Sequence, residues 1–453
     1  MKSKRLIKLT IAQIVLTIGF IQTVKSQTIL DNYVETGLKN NLVIQQKNIS
    51  IEKAMYALKT ANSLFFPTIN LKGDYQSGEG GRQIALPLGD MLNPVYSTLN
   101  QLTAKNSFPQ INNVDVNFFP NDFFDAKIRT SLPIYNSDLI YNRKIQKQKV
   151  MVQNYEIETY KTELTKNIRV SYFNYLSALQ IISVYENALS LAYEGKRNNE
   201  SLLKNGKGLK AYLLRSESEI QDLNAKKIAA QNQAKNAKMY FNFLINVEPT
   251  EDIKIIDSIN IDPTLLNKFI SNDFNVSNRT EIRESEQFVS IFKNAESMNK
   301  AYWQPKIAGF LDLGTQSSNW TFNNKSRYYF VGLQVDIPLF SSGNNIYKIK
   351  QSKLDLQNQV LNTNHTRNQI LLSAEVAKNN LISAYQNYEA TIKLMESATA
   401  YYELIDKGYK EGINTFLEMI DARTQISKTA VQMSVSKYEL MSVLENYKRE
   451  IKN

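Results

Sequence analysis

The segment RYYFVGLQVDIPLF occupies residues 327–340. Side chains of an extended chain alternate between two faces. Tyr329, Val331, Leu333, Val335 and Ile337 therefore share one face, and Tyr328, Phe330, Gly332, Gln334 and Asp336 share the other. One face is greasy and the other largely polar. Three further segments carry the same pattern. In residues 306–313, Ile307, Gly309, Leu311 and Leu313 oppose Lys306, Ala308, Phe310 and Asp312. In residues 124–132, Phe124, Ala126, Ile128, Thr130 and Leu132 oppose Asp125, Lys127, Arg129 and Ser131. In residues 68–75, Ile69, Leu71, Gly73 and Tyr75 oppose Asn70, Lys72 and Asp74. Four such strands suit either a small sandwich with polar faces in water or a barrel with lipid outside and a wet lumen inside.

Length favours the barrel. Each strand runs for about ten residues, the reach of a tilted membrane-spanning strand. Phe65, Phe66, Tyr135, Trp303, Trp320 and Phe340 bracket the strands, as interfacial girdles would. Four strands cannot close a barrel, for which about eight is the smallest membrane form, so the chain is expected to oligomerise.

Between the strands lie long helical patterns. Ala374, Ala377, Leu381, Ala384, Tyr388, Thr391, Met395, Ala398, Tyr402 and Ile405 follow a 3-4 alternation. Ile168, Tyr172, Tyr175, Leu179, Ile182, Leu189 and Tyr193 do likewise, with Glu186 interrupting. At 1.5 Å per residue, a helix from Asn136 to Lys204 is about 100 Å long, too long for the core of one compact domain. Asn278 and Glu281 read as a capping box opening a shorter helix. Turns are expected at Lys204-Asn205-Gly206-Lys207-Gly208 and Asp406-Lys407-Gly408.

The order of parts occurs twice. Phe66-Pro67-Thr68-Ile69 returns as Gln304-Pro305-Lys306-Ile307, Leu132-Pro133-Ile134-Tyr135 as Ile337-Pro338-Leu339-Phe340, and Gly208 as Gly412. This predicts a signal segment at 1–26, a first repeat at 27–272 and a second at 273–453, joined by an irregular stretch around 248–276. The signal reading rests on Lys2, Lys4 and Arg5 ahead of an apolar core from Ile11 to Ile21, with Val24 and Ser26 before the expected cleavage point.

Composition narrows the chemistry. The chain has 453 residues, no Cys and one His, so thiolate sites, disulfides and His-cluster metal sites are excluded, and no cofactor is expected. The net charge of +11 falls to +6 without residues 1–26, and the basic residues are interspersed with acids, so nucleic acid is not an expected partner. Gly78-Glu79-Gly80-Gly81 lacks the Lys-Ser/Thr of a phosphate-binding loop and reads as a loop tip. His365 reads as an exposed helix residue. Residues 80–121 form a long insert between the first two strands, and inserts of this length are usually functional or disordered.

Taken together, these features resemble the TolC-like outer-membrane efflux channel family over residues 28–450. The likeness is carried by Pro67 and Pro305, by Pro133-Ile134-Tyr135 and Pro338-Leu339-Phe340, and by Asn40-Asn41 and Arg279 with Glu281. Its most specific stretch is Tyr409-Lys410-Glu411-Gly412 running into Glu418-Met419-Ile420-Asp421-Ala422. The resemblance implies a mixed α/β membrane protein: a homotrimer whose twelve strands close one outer-membrane barrel, continuous with an α-helical periplasmic barrel. It implies passive export, coupled by a periplasmic adaptor to an inner-membrane RND or ABC transporter, with no enzymatic activity.

On the residues alone, Glu418 and Asp421 are three apart on a helix, and a solvated acidic face is the ordinary reading. The resemblance implies instead a carboxylate ring narrowing the periplasmic entrance, where mutual repulsion would raise some pKa values. Tyr409 matches a latching position, but the expected partner positions hold Leu214 and Asn414, so Tyr409 reads more readily as packing and closure as less firm. Lys204, Gly206, Gly208, Gly408 and Gly412 are expected at adaptor-docking tips. A periplasmic coiled-coil adaptor or scaffold is the competing class. A glycoside hydrolase using Glu418 and Asp421 is disfavoured, because acids on one helix face point the same way and cannot flank a bond.

Overall fold

The computed structural model describes residues 29–117, 122–255, 275–318 and 320–452. The expected signal segment and residues 256–274 of the irregular stretch lie outside them. Helices α1 (Ile29–Asn40) and α2 (Leu42–Ser63) lead to β1 (Thr68–Gln76). An insert follows, made of β2 (Gln83–Leu86), α3 (Leu88–Thr103) and β3 (Val114–Asn117). Then come β4 (Phe123–Tyr135), α4 (Ser137–Lys204) and α5 (Lys210–Ile245). The rest is α6 (Thr280–Lys300), β5 (Lys306–Ser318), β6 (Arg327–Asp336), α7 (Asn344–Lys410) and α8 (Phe416–Ile451). No helix among the described residues is long and apolar enough to cross a membrane.

The chain forms two compact units. One comprises the described residues within 52–151 and 287–361 and holds the strands. Its main sheet is antiparallel in the order β1-β4-β5-β6, leaving one side of β1 and one side of β6 unpaired. The register aligns the expected apolar positions in rows. Leu71 faces Ile128, Ile128 faces Leu313, and Leu313 faces Tyr329. The next row runs Ile69, Thr130, Leu311, Val331. This face is uncovered: Leu71 is 80% exposed and Val331 75%.

The other face is polar and self-satisfied. Arg129 donates from Nε to Asp312 Oδ1 at 2.7 Å and from Nη2 to Oδ2 at 2.5 Å, and Asp312 is only 3% exposed. Lys127 pairs with Asp125, which also accepts from the Tyr328 hydroxyl. Tyr328 therefore lies on the polar face; a Cβ on Gly314 would stand 2.6 Å from its ring, so only glycine admits it there. Phe66, Trp303, Leu339 and Phe340 are exposed around one end of the strands, Trp320 and Phe322 at the other. Trp320 stacks on Phe124 at 5.3 Å and on Tyr75 at 5.4 Å.

The insert is folded. Helix α3 is pinned to the returning chain by three asparagines. Asn93 exchanges two hydrogen bonds with the Ile111 backbone, both 2.9 Å, and Asn100 does the same with Phe108, at 2.8 and 3.0 Å. Asn113 accepts from Gly89 N and Asp90 N, and donates to Asp90.

The second unit comprises the described residues of 29–51, 152–255, 275–286 and 362–452, and holds the core. Ile157, Leu164, Ile168, Tyr172 and Phe173 of α4 pack with Val34 and Ile44 and with Phe241, Leu244 and Ile245 of α5. The second ladder holds along its length: Ala374, Leu381, Thr391 and Ala398 are buried, with Leu381 against Leu440 and Tyr447. The first departs at its end, where Tyr193 is exposed and Ala192 is buried with Ala188, Leu189, Ile220 and Leu223. A 3.6-residue helix drifts from a strict 3-4 pattern, and the seam moves by one residue. Asn41 breaks α1 from α2; its Oδ1 accepts from Val43 N and Ile44 N while its amide donates to Leu244 O at 3.2 Å.

The expected box at Asn278 is absent, because α6 begins at Thr280 and Glu281 is engaged elsewhere. Buried Arg279 donates to Glu281 at 2.6 and 3.0 Å and reaches Glu450 of α8, while Arg449 joins Glu281 at 3.0 Å. A buried guanidinium stripped of its partners is strongly destabilising.

Because each amide–backbone pair contributes about 1 kcal/mol, Asn93→Ala and Asn100→Ala together are expected to open the insert. Limited proteolysis should then cut between residues 104 and 113 at least about ten times faster, with far-UV circular dichroism unchanged.

Candidate functional site

The described residues of the core-bearing unit bring the sequence-derived site residues to the ends of two helical hairpins. Helix α4 ends at Lys204 and its chain reverses through Gly206, which adopts φ +71° so that Lys207 N–H can return to Leu202 O at 2.9 Å. Left-handed backbone of this kind favours glycine. Gly208 lies close against the end of α4, where a Cβ would meet Leu203 N at 2.7 Å. In the second hairpin, α7 continues through Gly408 to Lys410. The turn expected at 406–408 therefore lies later, at 411–415. Gly412 takes φ +77° and Ile413 N–H returns to Gly408 O at 2.8 Å. Gly408 is helical, and its missing Cβ is the space that Asn414 fills.

Thr415 caps α8 and forms a reciprocal box with Glu418. Glu418 N–H donates to Thr415 Oγ1 at 3.3 Å, and Glu418 Oε2 accepts from Thr415 N–H at 2.6 Å and from Asn414 Nδ2 at 3.4 Å. Within one chain these bonds, Thr415 N–H foremost, hold the Glu418 carboxyl below its ordinary range, opposite in direction to the rise expected from repulsion. Asp421 is exposed one turn farther along.

Tyr409 is half-buried, with its ring 6.3 Å from that of buried Phe416, which also meets Tyr212 at 5.3 Å. Burial raises the Tyr409 phenol, Arg423 opposes that rise and Tyr212 adds to it. Leu214 is exposed and supplies no acidic partner. Tyr409 and Asn414 instead line a cavity of about 680 Å³ with Glu194, Tyr402, Asp406 and Arg423.

Sequence reasoning passed over several residues here. Leu209, Ile413 and Leu417 expose aliphatic side chains beside the turns, and Lys410 pairs with Asp406 at 2.7 Å. Arg423 is buried, and a Cβ on Gly195 of α4 would collide with its guanidinium. Among the described residues no group of three or more His, Cys, Asp or Glu is placed to hold a metal ion.

Residues 276–443 match the family model described as outer membrane efflux protein, and the chain resembles that family. The alkaline protease secretion protein AprF of Pseudomonas aeruginosa is 22% identical over 180 residues, which cover 38% of this chain and 36% of that protein. The match thus spans about a third of that relative's length. Among solved structures, the outer-membrane channel OprN superposes with a TM-score of 0.75 at 15% identity, covering 93% of this chain and 89% of that one. The outer membrane channel CmeC of Campylobacter jejuni gives 0.73 at 15% identity, covering 93% and 85%. The fold is that of these outer-membrane channels.

Two outcomes follow from this geometry. Glu418→Ala should speed amide exchange in the first turn of α8 through the lost cap, and Glu418→Gln should do so less. Glu284 has a pKa pushed up to about 7, by burial first and then by Glu156 and Glu281, against the opposing charge of Lys47. An acid raised on folding binds its proton more tightly in the native state, so stability falls as pH rises from about 4.5 to about 7. Glu284→Gln should therefore raise stability above pH 7 by about 1–2 kcal/mol, after discounting for solvent screening, and by almost nothing at pH 4.5. Urea titrations at the two pH values measure this.

Proposed function

We propose that the chain is one subunit of a passive outer-membrane channel, not an enzyme, through which an inner-membrane pump of the RND or ABC class exports substrates by way of a periplasmic adaptor. The observation that carries this reading is the four-stranded sheet: apolar and uncovered on one face, ion-paired on the other and unpaired at both edges. An apolar face of this extent is stable against hydrocarbon and costly in water.

Edge strands β1 and β6 run in opposite directions, since each neighbour in the order β1-β4-β5-β6 is antiparallel to the last. β6 of one copy can therefore extend the sheet through β1 of the next, and three copies close a twelve-stranded barrel in the outer membrane. Such closure removes the open edges. The helices α4, α5, α7 and α8 then form the periplasmic tunnel. The recurrence of two barrel strands and a long hairpin after a leading helix supports repeats at 27–272 and 273–453 behind a signal segment at 1–26.

The hairpin ends are the adaptor surface. Lys204, Gly206, Gly208 and Gly412 shape the turns, Gly408 seats Asn414, and Leu209 and Ile413 offer exposed aliphatic contacts. Glu418 and Asp421 recur three times around the entrance and attract cations, while Tyr409 and Asn414 contribute packing and capping rather than a firm latch.

Purified protein in detergent should have the mass of about three chains and conduct in planar bilayers. Leu71→Arg, at the middle of a lipid-facing row, should cost about 2–4 kcal/mol and abolish recovery in the outer-membrane fraction, whereas Lys72→Ala should not. A monomer soluble without detergent would exclude the channel. In the same bilayers, Asp421→Asn with Glu418→Gln should lower cation selectivity and block by multivalent cations; no change would remove these acids from the entrance.

A further inference from the structure

The folded insert between β1 and β4 has no apolar interior of its own. Gly89 is the one buried residue of α3, while Met91 and Leu102 are 66% and 78% exposed. On the β2–β3 ribbon, Ile84 faces Val116 and Leu86 faces Val114, and all four are exposed as well. Units of about forty residues rarely hold such surfaces without disulfides, metals or oligomerisation. The chain has no Cys, and no metal-holding group occurs among the described residues, so association is the remaining means.

The outward side of α3 specifies the kind of association. Leu88, Met91, Val95, Thr98 and Leu102 recur at steps of three, four, three and four, the heptad seam of helices that pack side by side. The Thr98 hydroxyl donates to Pro94 O at 2.9 Å, so it can enter such a seam with its donor satisfied. Asn93 and Asn100, which grip the returning chain, fall at the heptad position farthest from the seam and leave it free. A lipid surface fits this helix less well, because its only charged residue is Asp90, whereas interfacial helices carry Lys or Arg beside their apolar face.

Position in the sheet supplies the partner. The insert leaves β1 at Gln76 and returns at Phe123, which pair with each other at the Trp320 end of the sheet, and β1 is an edge strand. In a closed barrel each insert therefore stands beside the next copy, and three surround one mouth. Residues 77–82 can reach about 20 Å, against about 12 Å from wall to axis for twelve tilted strands about 4.8 Å apart.

We propose that the stripe from Leu88 to Leu102 is a seam between copies of this chain: the α3 helices of three subunits pack in parallel as a short bundle that caps the outer mouth. Three copies about one axis are those of the channel reading, on which the seam rests. That axis brings each residue against its own counterparts, so Val95 meets Val95. So short a seam would not join free chains, but the staves hold the helices at an effective concentration in the millimolar range.

Because the chain lacks native cysteine, one introduced thiol reports on the seam. In outer-membrane vesicles holding the full chain, mild oxidation of Val95→Cys should link two subunits at least about ten times faster than Ser97→Cys, whose side chain stands on the opposite side of α3. Met91→Asp added to Val95→Cys should slow the link about ten-fold, with proteolysis between residues 104 and 113 unchanged because the insert stays folded. Equal rates for Val95→Cys and Ser97→Cys overturn the inference. So does a Val95→Cys thiol that is shielded from a water-soluble maleimide without linking, the result for a stripe lying on lipid. The mass and currents of the protein without introduced cysteine judge the channel reading separately: a conducting three-chain particle whose Val95→Cys does not link leaves that reading intact, and the absence of such a particle removes both.

Discussion

The constraint on which the structure depends is the period-two separation of apolar from charged side chains across four strands. Leu71, Ile128, Leu313 and Tyr329 make one cross-strand row, and the next residues along, Lys72, Lys127, Gly314 and Tyr328, make a row facing the other way. A slip of one residue in the β4–β5 pairing would separate Asp312 from Arg129 and leave an unpaired carboxylate among apolar neighbours. The Arg129–Asp312 fork is therefore both a consequence of the register and a lock upon it. Gly314 and Gly332 belong to the same requirement, since Cβ atoms there would strike Tyr328 and Phe310.

The helices answer a different constraint. Their seams carry small and polar residues, Ala374, Thr391, Ala398, Ser434 and Ser436 among them, which let backbones approach while little apolar area is buried. Cohesion is supplemented by charge: Arg279 ties the start of α6 to the end of α8, and Arg169 ties α4 to α1 and α8 through Asp31 at 2.8 Å and Glu445 at 3.0 Å. Pairs of this sort, buried at Arg279 and partly exposed at Arg169, add little net stability over apolar packing, but a buried charge left without its partner is costly.

What could be read in the sequence followed from these periodicities. The alternation located all four strands of the main sheet, and the ladder from Ala374 to Ile405 located a seam that is buried or half-buried throughout. His365 is exposed, as read. The failures occurred where one residue could serve two purposes. Glu418 was legible as half of a Thr-x-x-Glu capping box as well as an entrance acid, and the box sits here rather than at Asn278. Gly408 looked like a turn glycine, yet its small size serves Asn414 within the helix. Arg423 gave no signal at all, because its burial against Gly195 arises only when α4 and α8 are assembled. Nor did Asn93 and Asn100 announce themselves, although seven residues is two helical turns and places both on one side of α3.

That triad of amides has its own implication. Backbone recognition by Asn93, Asn100 and Asn113 is indifferent to the identity of the residues it grips, so the fold of the ornament between β1 and β4 is specified by three positions, and its outward residues are free for other contacts. Met91, Val95 and Leu102 point outward and bear none of that duty. Evolution can thus redecorate this appendage without altering the register of the strands it interrupts.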